Sequence, residues 1–390
     1  MPTFGMLRRI LIVLAIVALS LVSIWTAFRD YESLTASPQN AAQQMAEGQR
    51  ALNESDSHAQ AEAQIIDGKI QGPERPVGFR AYLPSESRAA DWPVIFMLPA
   101  RHMSVERAYA HLGHRLAAHD YVVIVVDYQE PLNIVAAPVE ELRETLRGQD
   151  HSESPEIIQQ LRVDTLALFN SREQIREQLP QGFQRLDLNR IGLMGHLSGG
   201  LQAQLLLGAR LDSGLPQLNH AAFHQQPQGL QIQAAVIYSP YGRDHVRIPF
   251  SLTEPPWALI QTPLLLVNGD RDLHFSKRLM AHPTNNSMFL ELPGKAPAYS
   301  LNLIDGTTAD FMGRKGRDRP NGDGQTAIAA LTRIFFDAYI RRSERDLNWL
   351  KSLDVSPTSE TEAFWAPGRR VRDFFNRIDS KATPSTNHSH

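Results

Sequence analysis

The segment Gly195-His196-Leu197-Ser198-Gly199-Gly200 sets a serine and a histidine among glycines, between an apolar run and a helical pattern. A serine hydroxyl attacks a carbonyl when an imidazole takes its proton, an acid orients that imidazole, and backbone N–H groups receive the oxyanion. Asp270 and Asp272 follow the apolar run 263–267 and are the candidate acids, although an aspartate there can also serve a turn by binding nearby backbone amides. Candidate bases are His196, His102 and His274, the last only two residues from Asp272. No histidine occurs between His282 and His388. His111 and His114 are three apart and His220 and His224 four apart, spacings that can put two imidazoles on one helix face as zinc requires. There is no His-Glu-x-x-His and no third ligand in register, so solvent-facing histidines are expected, with no metal and no cofactor. The basic run Arg314, Lys315, Arg317, Arg319 is read as a solvated loop, with an anion or lipid head-group site as its alternative.

The elements that must position these groups are legible as short apolar runs: 77–83, 93–98, 121–126, 190–194, 234–239 and 263–267, with a last strand over 299–304. Runs this short, rich in Val and Ile and bounded by turn residues, suit strands buried on both faces. Helical patterns lie between them at 104–118, 157–178, 198–211 and 326–342. The alternation predicts an α/β fold, a mostly parallel central sheet with helices on both faces. Segments 129–156 and 213–231 read as inserts. The expected organisation is an N-terminal anchor over 1–29, a polar spacer over 30–74 without strand-like runs, an α/β domain over 75–352, and a polar, disordered tail over 353–390.

The strand-turn-helix stretch 186–200 resembles the nucleophile elbow of α/β hydrolases, where a sharp turn exposes the nucleophile above the sheet. Around it, LRVDTLALFNSREQIREQL, AAVIYSPYG, TPLLLVNGDRD and IAALTRIFFDAYIRRSERDLNWL resemble, in that order, blocks of bacterial hydrolases related to platelet-activating-factor acetylhydrolase and dienelactone hydrolase. The likeness spans roughly residues 75–350. It implies the α/β-hydrolase fold, ester hydrolysis and a triad acid at Asp272. The family's elbow reads Gly-His-Ser-x-Gly-Gly; here Gly195 and Gly199 bracket Leu197, and the serine stands one residue later at Ser198. Keeping the glycines in place puts leucine at the nucleophile position and leaves Ser198 to open the following helix, where a serine serves as N-terminal cap. The triad His is expected after the last strand as Gly-x-x-His, and the chain has Gly306-Thr307-Thr308-Ala309. The family's His-Gly after the second strand, whose loop supplies oxyanion donors, corresponds to Leu98-Pro99, followed by Ala100, Arg101 and His102.

Two functional expectations follow. In the first the protein is a pseudo-hydrolase, its cleft reused for a small ester-like or lipid-like ligand or a protein partner. In the second it is an active serine ester hydrolase with a rearranged site using Ser198, Asp272 and either His196 or His274. The net charge of −3 gives no electrostatic reason for a nucleic-acid partner. The absence of cysteine excludes disulfides, thiol nucleophiles and Cys-based zinc sites. After Arg8 and Arg9, residues 10–28 form an uncharged run nearly long enough as a helix to cross the bilayer core, with Trp25 near its far end. A membrane anchor with a cytoplasmic N-terminus is therefore expected, a cleaved signal peptide being the alternative. Either would place the domain outside the cytoplasm, most simply on a bacterial inner membrane facing the periplasm.

Overall fold

The structure is a computed structural model that describes residues 63–85, 92–101, 103, 105, 108–128, 155–210, 225–241, 256–269, 288, 292, 296–303, 311 and 323–352. The expected anchor over 10–28, the tail, Asp270, Asp272, His102, His274, the basic run 314–319 and the central parts of both expected inserts lie outside these residues. Among the described residues no helix is long and apolar enough to cross a membrane.

Eight strands form one sheet: β1 (Gln64–Gln71), β2 (Pro76–Leu83), β3 (Val94–Leu98), β4 (Val122–Asp127), β5 (Arg190–His196), β6 (Gln231–Tyr238), β7 (Leu264–Gly269) and β8 (Ala298–Leu303), in the spatial order β1-β2-β4-β3-β5-β6-β7-β8. β1 and β2 pair antiparallel, β2 runs antiparallel to β4, and every later pairing is parallel. Six described helices accompany it: α1 (Ala110–Ala118), α2 (Pro155–Asn170), α3 (Arg172–Gln178), α4 (Ser198–Leu206), α5 (Asp323–Tyr339) and α6 (Glu344–Ser352).

Strand side chains alternate between two cores, as a period of two requires. Phe96, Leu98, Ile124, Leu193, Ile237 and Leu266 pack with α2, α3 and α4. Ile95, Met97, Val125, Met194, Val236 and Val267 pack with α1, α5 and α6. Both faces are covered, which is why the parallel strands read as continuous apolar runs.

Three expectations are corrected. The spacer over 30–74 contains β1, which pairs along its whole length with β2. Its mostly exposed sequence, QIIDGKIQ, carries little apolar signal. Its outer edge is met by α3: Gln178 exchanges two hydrogen bonds with the Lys69 backbone, at 3.1 and 2.8 Å, and Gln174 accepts from the Gln71 N–H at 3.2 Å. The helix expected over 157–178 is two helices parted at Ser171, after which Arg172 folds back onto the Phe169 carbonyl and Asn189. The helix expected from residue 104 begins at Ala110, because Tyr109 has φ 65° and a right-handed helix cannot pass through it.

Candidate functional site

β5 ends at His196 and α4 begins at Ser198, so the chain reverses at one residue, Leu197. Its backbone lies at φ 50°, ψ −116°, a region L-residues rarely adopt and which costs on the order of 1–3 kcal/mol. What over-determines the turn is hydrogen bonding on both sides. The Leu197 N–H donates to the Tyr238 carbonyl on β6 at 3.2 Å, and its own carbonyl accepts from Leu201 N–H at 2.9 Å. Leu197 is thus the apex of the elbow. It is buried and joins the core on the α4 side of the sheet.

The glycines explain the tightness. A Cβ on Gly195 would come within 2.7 Å of the Gly199 carbonyl oxygen. One on Gly199 would run into the carbonyl oxygens of Leu98 and Pro99. The loop after β3 is therefore pressed onto the first turn of α4, backbone against backbone.

Ser198 is the first helical residue and makes no side-chain cap of α4, contrary to the capping role expected for it. Instead, buried Ser198 Oγ accepts a hydrogen bond from the Arg101 backbone N–H at 2.7 Å. The preceding amide in the loop is engaged as well: Ala100 N–H donates to the Tyr109 hydroxyl oxygen at 3.0 Å. Pro99 has no N–H to offer. An oxyanion site of this architecture draws on the amide after the apex and on one from the loop after the third strand. In this loop proline removes one donor, and the next two already serve side-chain oxygens of the protein itself.

His196 points to the other side of the sheet, toward α1 and α5. It is fully buried, and its Nδ1 lies 2.6 Å from the Tyr109 hydroxyl. The Tyr109 oxygen also accepts from Ala100, and Nδ1 is the ring nitrogen it engages, the other being Nε2. That nitrogen has no hydrogen-bond partner among the described residues. The ring instead meets Phe311 edge-on at 5.6 Å and Tyr109 at 5.7 Å. Burial holds the imidazole neutral, with its pKa lowered to about 3, and pushes the Tyr109 phenol far above its ordinary value. His196 and Ser198, paired in the active-hydrolase expectation, are thus not hydrogen-bonded to each other. Among the described residues no imidazole is hydrogen-bonded to Ser198. His111 and His114 both lie on α1. His111 is largely enclosed with its pKa lowered to about 4 by burial, and His114 packs edge-on against Tyr82 at 5.2 Å. Among the described residues no cluster suits a metal ion.

Sequence reasoning missed Tyr109, the residue that joins loop and imidazole. Nothing in a helical pattern over 104–118 marks one position as left-handed. It also passed over Arg162, which lies on the buried face of α2 one turn beyond Ile158, where an arginine among apolar neighbours was a readable anomaly.

No protein-family model matches the chain, and no curated protein matches it. Solved structures do. Thermogutta terrifontis esterase 2, phosphorylated by paraoxon, matches with a TM-score of 0.42 and 14% identity, covering 70% of this chain and 93% of its own. A dienelactone hydrolase from Anabaena variabilis matches with a TM-score of 0.42 and 14% identity, covering 71% of this chain and 99% of its own.

Proposed function

We propose that the chain is a non-hydrolytic α/β-hydrolase-fold protein, held to a membrane by residues 10–28 with its domain outside the cytoplasm. Its cleft, at the carboxyl ends of the parallel strands where open α/β sheets take their ligands, binds an ester-like or lipid-like small molecule or an envelope protein. The observation that carries this reading is the elbow. Its apex is a leucine, which has no proton to give and no lone pair to attack with. The loop amides at Ala100 and Arg101 are already bonded to Tyr109 and Ser198. Removal of a single oxyanion donor costs an acyl-transfer enzyme about 10²–10³ in kcat, so a combined loss with the nucleophile leaves little hydrolysis to select for.

The competing reading, an ester hydrolase using Ser198 and Asp272, draws on a serine only one residue from the apex. A fluorophosphonate probe separates the two. Full-length protein in detergent, shown to be folded, is treated with the probe, and adducts are mapped by mass spectrometry beside an active serine esterase as control. The expected result is complete labelling of the control and none at Ser198. An adduct on Ser198 would overturn the proposal.

A further inference from the structure

Arg162 sits on α2 with its side chain 1% exposed. Its Nη2 donates to the Gln225 carbonyl at 2.6 Å, while Nε and Nη1 have no partner among the described residues. Burial lowers its pKa to about 10, so at neutral pH it remains a cation. A buried charge without a counter-ion is among the least favourable arrangements in a folded protein. The nearby groups are otherwise committed. Asp164, two residues on, is bound to Arg75 at 2.6 Å and Gln160 at 3.0 Å. The Thr165 hydroxyl is shared between Tyr128 and the Leu161 carbonyl.

Two comparisons sharpen the point. Arg172, at the start of α3, reaches the same segment before β6 through the Gln228 carbonyl, but it also donates to Asn189 and Phe169. Buried Arg333 has Asp337 at 2.9 Å. Among the described residues Arg162 has neither a carboxylate nor a full set of acceptors. At the same helix contact Gln202 of α4 donates to the Ile158 carbonyl at 3.4 Å, one turn before Arg162, and its buried Oε1 has no partner among the described residues. A buried water could meet the demand of Gln202, but water does not neutralise a guanidinium.

We propose that Arg162 is the cationic partner in a buried oxyanion site where α2 meets the segment before β6, taking a small carboxylate or phosphate group. The site does not depend on whether the elbow hydrolyses anything. Its binding energy offsets a cation that the described residues leave uncompensated.

The test is thermal unfolding of the full-length protein in detergent, titrated with sodium acetate or sodium phosphate against sodium chloride at matched ionic strength. The expected result is a saturable rise of several degrees with an oxyanion beyond that in chloride. Arg162→Met should lose the saturable part, and its midpoint in chloride should be no lower than that of the unsubstituted protein. A rise with phosphate alone would assign the site to phosphate groups, and a rise with acetate alone to carboxylates. An oxyanion effect retained in Arg162→Met would overturn the proposal. So would the absence of any saturable effect on the unsubstituted protein, a result that stands even if the variant fails to fold.

Discussion

Leu197 combines a buried leucine with a backbone geometry suited to glycine, and these pull in opposite directions. Removing the side chain loses buried contact, about 2–5 kcal/mol for a leucine cut to alanine, whereas glycine at the same place also releases backbone strain. Leu197→Gly and Leu197→Ala leave nearly the same cavity, so their difference isolates the backbone. Leu197→Gly should be the more stable by about 1–2 kcal/mol in urea unfolding, against the usual order of glycine below alanine. Equal stabilities would mean that the apex is not held at positive φ in solution. His196 gives a second prediction. Its folded pKa, about 3, lies below the unfolded value near 6.5, so on acidification the unfolded chain takes up a proton that the native state refuses. The native state's advantage is complete above about pH 6.5 and falls progressively toward pH 3. Between pH 7 and 5, His196→Gln should lose about 2 kcal/mol less stability than the unsubstituted protein. His111, shifted the same way, keeps some slope in both. Parallel pH profiles would show His196 to be accessible.

The elbow and the loop after β3 behave as one body because Gly199 leaves no space between them. Gly199→Ala should destabilise the fold by about 3 kcal/mol or more, since the methyl meets backbone carbonyls that cannot rotate aside. Gly229→Ala is the control: unlike Gly199 it has a positive φ, 68°, but a Cβ there meets nothing within 4 Å, so it should cost only about 1 kcal/mol. Similar losses in both would remove the close approach from the account. The parallel strands were legible in the sequence because burial on both faces writes each as an unbroken apolar run. The elbow was legible because close approach requires glycine at fixed spacing. β1 was hidden because it is an exposed edge strand, and its outer edge is met by glutamines about a hundred residues away in the chain. The bond from Arg101 to Ser198 and the left-handed Tyr109 were hidden for a related reason: both depend on tertiary contacts that no local pattern encodes.

At the scale of the molecule, the proposed anchor can be tested through what the chain lacks. With no cysteine in 390 residues, any thiol introduced is the only one present. Lys351→Cys, at an exposed position near the end of α6, should react with a membrane-impermeant maleimide in intact cells if the domain lies outside the cytoplasm. Protection in intact cells, with reaction after lysis, would place the domain inside and remove the location part of the proposal.

The hydrogen bonds from Ala100 to Tyr109 and from Arg101 to Ser198 have a further consequence. An oxyanion site waiting for substrate leaves its amides to exchange with solvent, whereas these two are closed by the protein's own oxygens. Their deuterium uptake is then a clock for local opening, since each exchanges only when Tyr109 or Ser198 lets go. A ligand that opens the loop would quicken both amides, and one that binds elsewhere would leave them slow, so two backbone protons distinguish entry at the elbow from binding at a distance.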